Sequence, residues 1–495
     1  MTADLREQRT DPAPETAGAG APSPLSVLGP WVVLGCLLAV VLRFSALRLG
    51  NQDTWFHLVL GDRFRHGAGL SDPAGLTPFA TSRWVPTQWS TELLASWAEH
   101  LFGLPGVAWV FGACYLALVL ATYVACRHQA RPVVAALVVV PVVLGVAPAL
   151  SARPQVVSLV LLAVTVAAWL RTVDDGVARW WLVPLTWVWA TAHGLWSAGV
   201  VLGVVCCVGL VLDHRRRGRP SWAVLAVPVA QVVAALLTPV GPRLLLSQLA
   251  VSARTSMIPE WGPPSFRSLT SLSVALMVAL TLVLWARTGR VSWARLGLLL
   301  LAGVWTLTVA RMVALGAVVA APLLAGAVEQ ALSATPRRVG VGVGPGRTVG
   351  GGERRGLLLL AVGYLVVLAV AAPRAVTAPV DVPSGLVPEL KALPAGSPLL
   401  VEDGIGAWVE WRTPQVHPVI DGLLDAYPVP YIRRFFAATR VEPGWRGFVA
   451  DSGARSGVLD AGSPLSAALH DQLGWRTRAR DGRWVFLVAP GTPAR

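Results

Sequence analysis

Lysine is almost missing from this chain. Lys391 is its sole lysine, and arginine supplies the rest of the 41 basic residues. Cysteine is scarce too, with five in 495 residues: Cys36, Cys114, Cys126, Cys206 and Cys207. All five fall in or beside apolar stretches without ligand spacing, which excludes a disulfide framework and a zinc site. Charge is thin, since 14% of residues are charged against 54% apolar, with a mean hydropathy of +0.60. That balance excludes an ordinary soluble globular domain. A net charge of +14 in a soluble protein would raise nucleic-acid binding, but these arginines cluster in short loops beside apolar runs, where positive charge sets membrane orientation. Arginine in place of lysine points to a high-GC bacterial source, and the apolar runs point to its plasma membrane.

Eleven apolar stretches are then the dominant feature. A helix needs about 20 apolar residues to cross the hydrocarbon core. The stretches run Leu28 to Leu47, Gly106 to Ala125, Pro132 to Leu150, Gln155 to Leu170, Trp180 to Ala192 and Leu195 to Leu212. They continue with Trp222 to Leu237, Leu272 to Ala286, Leu296 to Ala310, Met312 to Val328 and Gly356 to Ala372. A cytoplasmic N-terminus places the basic loops at Arg127/Arg131, Arg171/Arg179, Arg215/Arg216/Arg217/Arg219, Arg287/Arg290/Arg295 and Arg337/Arg338/Arg354/Arg355 on one side, as the positive-inside rule requires. The expectation is an all-α polytopic membrane protein of about eleven transmembrane helices with an extracytoplasmic C-terminal α/β domain. Residues 1–27 read as a disordered cytoplasmic tail, 28–374 as the membrane domain and 375–495 as the small α/β domain. The glycine-rich basic stretch 333–355, with Gly342, Gly344 and Gly346, lacks the preceding strand and the Lys-Ser/Thr of a phosphate loop and reads as a linker.

In the tail, Pro398 to Val401, His417 to Ile420 and Gly457 to Asp460 read as strands, while Tyr431 to Thr439 and Leu465 to Leu473 read as helices. Asp481-Gly482 reads as a hairpin turn. Glu402-Asp403-Gly404 and Asp421-Gly422 with Asp425 invite a carboxylate-pair or metal reading, but their spacing suits turns at strand ends better.

Chemistry concentrates in the loop after the first apolar stretch, which carries Asp53, His57, Asp62, His66, Asp72, Trp84, Trp89 and Glu92. Asp53 and His57 stand i, i+4, so a helical turn puts carboxylate and imidazole on one face. Such a carboxylate at a helix mouth suits a general base or a divalent cation, while the local sequence by itself favours Asp53 as an N-cap for the helix running on to Arg65. His193, between two apolar stretches, suits a ligand or a tight turn. Arg153 and Arg311 lie outside the cytoplasmic clusters, where a guanidinium suits a phosphate or carboxylate or snorkels to headgroups. Glu260 and Trp261 pair a carboxylate with an aromatic that serves a sugar or an interfacial anchor.

The order of these pieces resembles the bacterial polytopic glycosyltransferases of the C-type superfold, the mannosyltransferase-like group that uses polyprenyl-phosphate sugars. The resemblance rests on Asp53-Thr54-Trp55-Phe56-His57-Leu58 with Gly61, Asp72-Pro73, and Gln88-Trp89 with Glu92. Ala152-Arg153-Pro154-Gln155, His193-Gly194, Thr238-Pro239 with Gly241, Glu260-Trp261 and Ala310-Arg311 follow in order. It implies transfer of a sugar from a polyprenyl-phosphate donor to a cell-envelope glycan or lipid acceptor outside the cytoplasm. Asp53 is then the base or cation ligand, His57 and Glu260 orient, and Arg311 and Arg153 bind phosphate. His193, Trp89 and Glu92 complete the implied substrate site. The chain departs from the pattern in carrying a single acid at Asp53 and Thr238 where Asn is usual. Two other classes fit many spans with outward arginines: a lipid-linked glycan ligase or polymerase, and a transporter without transferase activity. The first favours a large late loop and the second internal repeats with a midplane site.

Overall fold

The structure, a computed structural model, describes residues 24–46, 49–70, 76–214, 219–252, 259–288, 291–334 and 348–492. Asp72, the basic cluster 215–217 and most of the 333–355 linker lie outside the described residues, as does most of the 1–27 tail. Each of the eleven apolar stretches lies mostly in a helix among the described residues. Among the described residues, seven helices are long and apolar enough to cross a membrane, and four more, Leu182–Ala192, Trp196–Leu212, Trp222–Leu236 and Trp293–Thr308, are apolar but shorter.

The first eight helices are α1 (Pro24–Ala46), α2 (Asp53–Arg65), α3 (Trp89–Phe102), α4 (Leu104–Arg127), α5 (Pro132–Val146), α6 (Gln155–Asp175), α7 (Leu182–Ala192) and α8 (Trp196–Leu212). The helix Val313–Ala334 is the hub of the bundle. Its apolar stretch is 83% buried, against 17% for that of Gly351–Ala375. Small residues explain this, because Ala314, Ala317, Ala320, Ala321 and Ala325 are buried on it and let neighbouring backbones approach, as packing between apolar helices requires. Gly316 is one such contact, where a Cβ would fall 2.2 Å from Thr306 Oγ1.

Ion pairs mark the two ends of the bundle. At one end Arg127 pairs with Glu353, Arg131 with Glu329, Arg295 with Asp174 and Arg179 with Asp175. From that end the chain crosses along α5, so the turn that holds Arg153 comes at the other, and α6 brings it back to Asp174 and Asp175. The basic loops that the sequence groups on one side thus meet in space.

Two helices fill the loop after α1. Helix α2 packs on α3 so closely that Gly61 has no room for a side chain: a Cβ there would fall 2.1 Å from the Glu92 carbonyl oxygen. Beyond Ala375 the chain folds around a five-stranded sheet of order β2-β1-β3-β5-β4, formed by β1 (Ser397–Val401), β2 (Val416–Pro418), β3 (Ser456–Asp460), β4 (Arg476–Asp481) and β5 (Trp484–Val488). β1 pairs parallel with β2 and β3, while β5 runs antiparallel to β3 and β4. The turn between β4 and β5 uses Gly482 at φ 56°, as the Asp-Gly pair predicts. Helices Val429–Thr439 and Pro464–Leu473 match the sequence expectation; Asp403–Arg412 and Trp445–Ser452 are additional.

This domain is seated on the loop helices. Trp411 packs on Trp55 with ring centroids 5.0 Å apart, Tyr431 stacks on Phe79 at 5.8 Å, and the Ser82 amide donates to the Ala426 carbonyl at 2.9 Å. Gly61→Ala is expected to cost about 1–3 kcal/mol by overpacking the α2–α3 contact. Thermal unfolding of the full chain in detergent checks this, and an unchanged midpoint would show that the contact yields freely.

Candidate functional site

The local sequence determines how α2 begins. Asn51 Oδ1 accepts the Asp53 amide at 3.0 Å, and the Asn51 carbonyl accepts the Thr54 amide. Asp53 is therefore the first residue of the helix and its carboxylate does not cap. It is free to reach across to Arg153, whose Nη1 donates to Oδ2 at 2.8 Å. Asp53 still lies in the first helical turn, where the helix dipole favours an anion.

Arg153 sits in the turn between α5 and α6 with its side chain only 8% exposed. Ser151 Oγ accepts from its Nε at 3.0 Å, and Thr54 Oγ1 donates to the neighbouring Ala152 carbonyl at 3.0 Å. The same guanidinium lies 3.5 Å from Glu260, and Glu260 lies 3.5 Å from Arg311. Arg311 stands over the Trp261 ring at 5.7 Å, and the Ala310 amide donates to the Gly262 carbonyl at 2.9 Å. Four residues spread over more than 250 positions thus form one row: Asp53, Arg153, Glu260, Arg311. The 2.8 Å contact is a full charge-assisted hydrogen bond, whereas those at 3.5 Å are loose. Glu260, with its side chain 48% exposed, is the most easily displaced member.

His57 and Glu92 do not join that row. His57 Nδ1 lies 2.9 Å from Glu92 Oε1 with both side chains buried. Burial favours the neutral form of each: it pushes the Glu92 carboxyl well up and the imidazole well down, and Arg153, His193 and Arg311 further oppose imidazolium. The pair is a neutral hydrogen bond joining α2 to α3, and no hydrogen bond links His57 to Asp53 despite their spacing. Trp89, also on α3, keeps its indole Nε1 buried with no partner among the described residues. His193 caps the C-terminal end of α7, and its Nδ1 lies 2.8 Å from Ser158 Oγ on α6.

A cavity of about 180 Å³ adjoins the Asp53–Arg153 contact. Asn51, Thr54 and Ser151 contribute polar lining, and Phe44, Phe111 and Tyr115 apolar lining. Neither Ser151 nor Ser158 stands out in the sequence, since a serine in an apolar run is unremarkable until its partner is known. The tail also contributes charge: Asp425 lies within electrostatic reach of Arg311 and Asp403 within reach of Asp53.

The divalent cation considered for Asp53 does not fit this donor set. Asp53 and Glu260 are both engaged by guanidinium groups, and among the described residues no group of three or more His, Cys, Asp or Glu is gathered to hold a metal.

Comparison with solved structures places the fold. Archaeal oligosaccharyltransferase AglB from Archaeoglobus fulgidus, in complex with an inhibitory peptide and a dolichol-phosphate, superposes with a TM-score of 0.57 at 12% identity, covering 95% of this chain and 75% of that one. ArnT from Cupriavidus metallidurans bound to undecaprenyl phosphate superposes at 0.50 and 16% identity, covering 94% and 97%. The chain has the fold of these polytopic membrane proteins. No protein-family model matches the sequence, and no curated protein matches it. The polytopic helical bundle with a C-terminal α/β domain expected from the sequence is therefore the fold observed.

In the tail, Glu402 precedes the helix Asp403–Arg412 and Asp421 Oδ1 accepts the Leu423 amide at 2.8 Å, as strand-end turns do. Glu410 and Asp421 are buried together. Burial first and mutual repulsion second raise the Glu410 carboxyl well above its usual range, and burial raises Asp421 to about 6. An acid whose folded pKa is raised stabilises most below its unfolded pKa and loses that stability as pH rises through the folded value. For Asp421 the window runs from about 4 to about 6. Unfolding midpoints should therefore fall as pH rises from 4 to 7, and Asp421→Asn should flatten the fall. An identical pH dependence in that variant would exclude the pair as its source.

Proposed function

We propose that the chain transfers a sugar from a polyprenyl-phosphate donor to an acceptor at the end of the bundle where Asp53 lies. One observation carries the reading. A partly exposed carboxylate and two guanidinium groups share a row at the mouth of the helices, in a fold whose solved examples were captured with dolichol-phosphate and with undecaprenyl phosphate. The opposite end carries the basic loops, so the positive-inside rule assigns the site and the C-terminal domain to the extracytoplasmic side.

The chemistry follows from the row. In the free protein, Asp53 and Glu260 neutralise the arginines. A donor phosphate offers better acceptors than a carboxylate at 3.5 Å, so it displaces Glu260 and takes both guanidiniums. The acceptor oxygen or nitrogen then attacks the anomeric carbon while the bond from that carbon to the phosphate oxygen breaks. The acceptor's proton passes to Asp53, and the charge left on the phosphate falls to Arg153 and Arg311. These groups are already in place before the charge develops, which is how fixed dipoles and charges lower a barrier. Glu260, once released, is placed to orient a sugar hydroxyl beside Trp261, while His57, held by Glu92, keeps α2 and therefore Asp53 in position. The cavity beside Asp53 suits the apolar part of a substrate.

The test is sugar transfer by the purified full chain from a panel of radiolabelled polyprenyl-phosphate sugars to a membrane-extract acceptor. Asp53→Asn is expected to lower turnover by about 10²–10⁴-fold, the range for loss of a general base, with expression unchanged. Arg311→Ala is expected to cost about 10²-fold through lost charge stabilisation. Full transfer by Asp53→Asn would remove that residue from the chemistry, and no transfer by wild type from any donor in the panel would remove the reading.

A further inference from the structure

The environment of His193 determines which of its nitrogens carries hydrogen. The Leu195 amide donates to His193 Nδ1 at 3.3 Å, so Nδ1 presents a lone pair. Ser158 Oγ lies 2.8 Å from the same nitrogen, and Trp189 Nε1 donates to Ser158 Oγ at 2.7 Å. An indole N–H only donates, so the hydroxyl accepts from Trp189, and because Nδ1 already accepts from the Leu195 amide the hydroxyl gives its own hydrogen to Nδ1. Two donors on Nδ1 leave the hydrogen of the neutral ring on Nε2.

The relay is rigid. Ser158 and Trp189 are each 1% exposed and His193 6%. Gly199 on α8 leaves the space that the Trp189 ring fills, since a Cβ there would lie 2.7 Å from Trp189 Cζ3. Thr91 on α3 fixes the adjoining backbone by donating to the Ala192 carbonyl at 2.9 Å. Among the described residues Nε2 has no hydrogen-bond partner. Burial, with Arg311 and Arg153 close by, holds the imidazole neutral, its pKa pushed down to about 3. The site thus contains an oriented, uncharged N–H donor among guanidinium groups, surroundings that favour an oxyanion.

We infer that His193 donates Nε2–H to a phosphate oxygen of the lipid-linked donor, with Ser158 and Trp189 as positioning residues that fix the tautomer. The inference rests on the glycosyl-transfer reading and adds a third phosphate contact to the two arginines.

Amide isosteres provide the test, because a glutamine side-chain amide reaches the Nε2 position and an asparagine amide the Nδ1 position. Binding of undecaprenyl phosphate to the full chain in lipid nanodiscs is measured for wild type, His193→Gln, His193→Asn, Ser158→Ala and Trp189→Phe. His193→Gln should bind within about threefold of wild type, a change the size of one neutral hydrogen bond or less, and His193→Asn about tenfold more weakly. Ser158→Ala and Trp189→Phe, which free the ring to change tautomer, should each lose about threefold to tenfold. If His193 only completes the turn through Nδ1, asparagine is the better replacement, and binding by His193→Asn equal to or above that of His193→Gln overturns the inference. Unchanged binding by both Ser158→Ala and Trp189→Phe overturns the relay. Failure of wild type to bind the lipid overturns the glycosyl-transfer reading itself, and the inference with it.

Discussion

A guanidinium at the end of an apolar helix bundle must find an anion, and the site depends on how Arg153 does so. Its side chain is almost fully covered, and leaving such a charge without its partner costs about 3–5 kcal/mol. The 2.8 Å bond to Asp53 therefore ties the start of α2 to the α5–α6 turn. Once α2 is fixed, α3 follows through the close Gly61 contact and the His57–Glu92 bond. The C-terminal domain in turn rests on α2 through Trp55 and Trp411. One ion pair thus ties the bundle, the loop helices and the C-terminal domain to a single point.

Neutrality divides the site into two zones. In the row, two arginines meet two carboxylates that solvent still reaches, so charges can exchange partners without a large desolvation cost. Outside the row, His57, Glu92 and His193 are buried, and burial holds each in its neutral form. In the proposed reaction, a phosphate entering the row takes over cations that now face carboxylates.

The bundle was legible in the sequence because lipid leaves few options: backbone groups must be satisfied within each helix, so apolar runs become helices with little regard for tertiary context. The basic loops were legible for a similar reason, and their ion pairs at one end of the bundle bear this out. Strands β1, β2 and β3 and the Asp481-Gly482 turn were legible from alternation and turn chemistry. The partners of individual side chains were not. Asp53 and His57 share a spacing that predicts one face, yet each turns to a different partner, from α6's turn and from α3. The capping alternative for Asp53 failed because Asn51, two residues earlier, already does that work.

The sequence by itself determined the class of protein, the run of helices, the α/β character of the tail and which polar residues stood out against an apolar background. These follow from short-range physics: hydrophobic length, backbone satisfaction and turn propensity. Only the tertiary structure decided that Asp53, Arg153, Glu260 and Arg311 form one row, that His57 belongs to Glu92, and that Ser158 and Trp189 set the ring of His193. Those pairings are separated by 31 to 107 positions in the chain and depend on which helix ends the packing brings together, a quantity that no local pattern encodes.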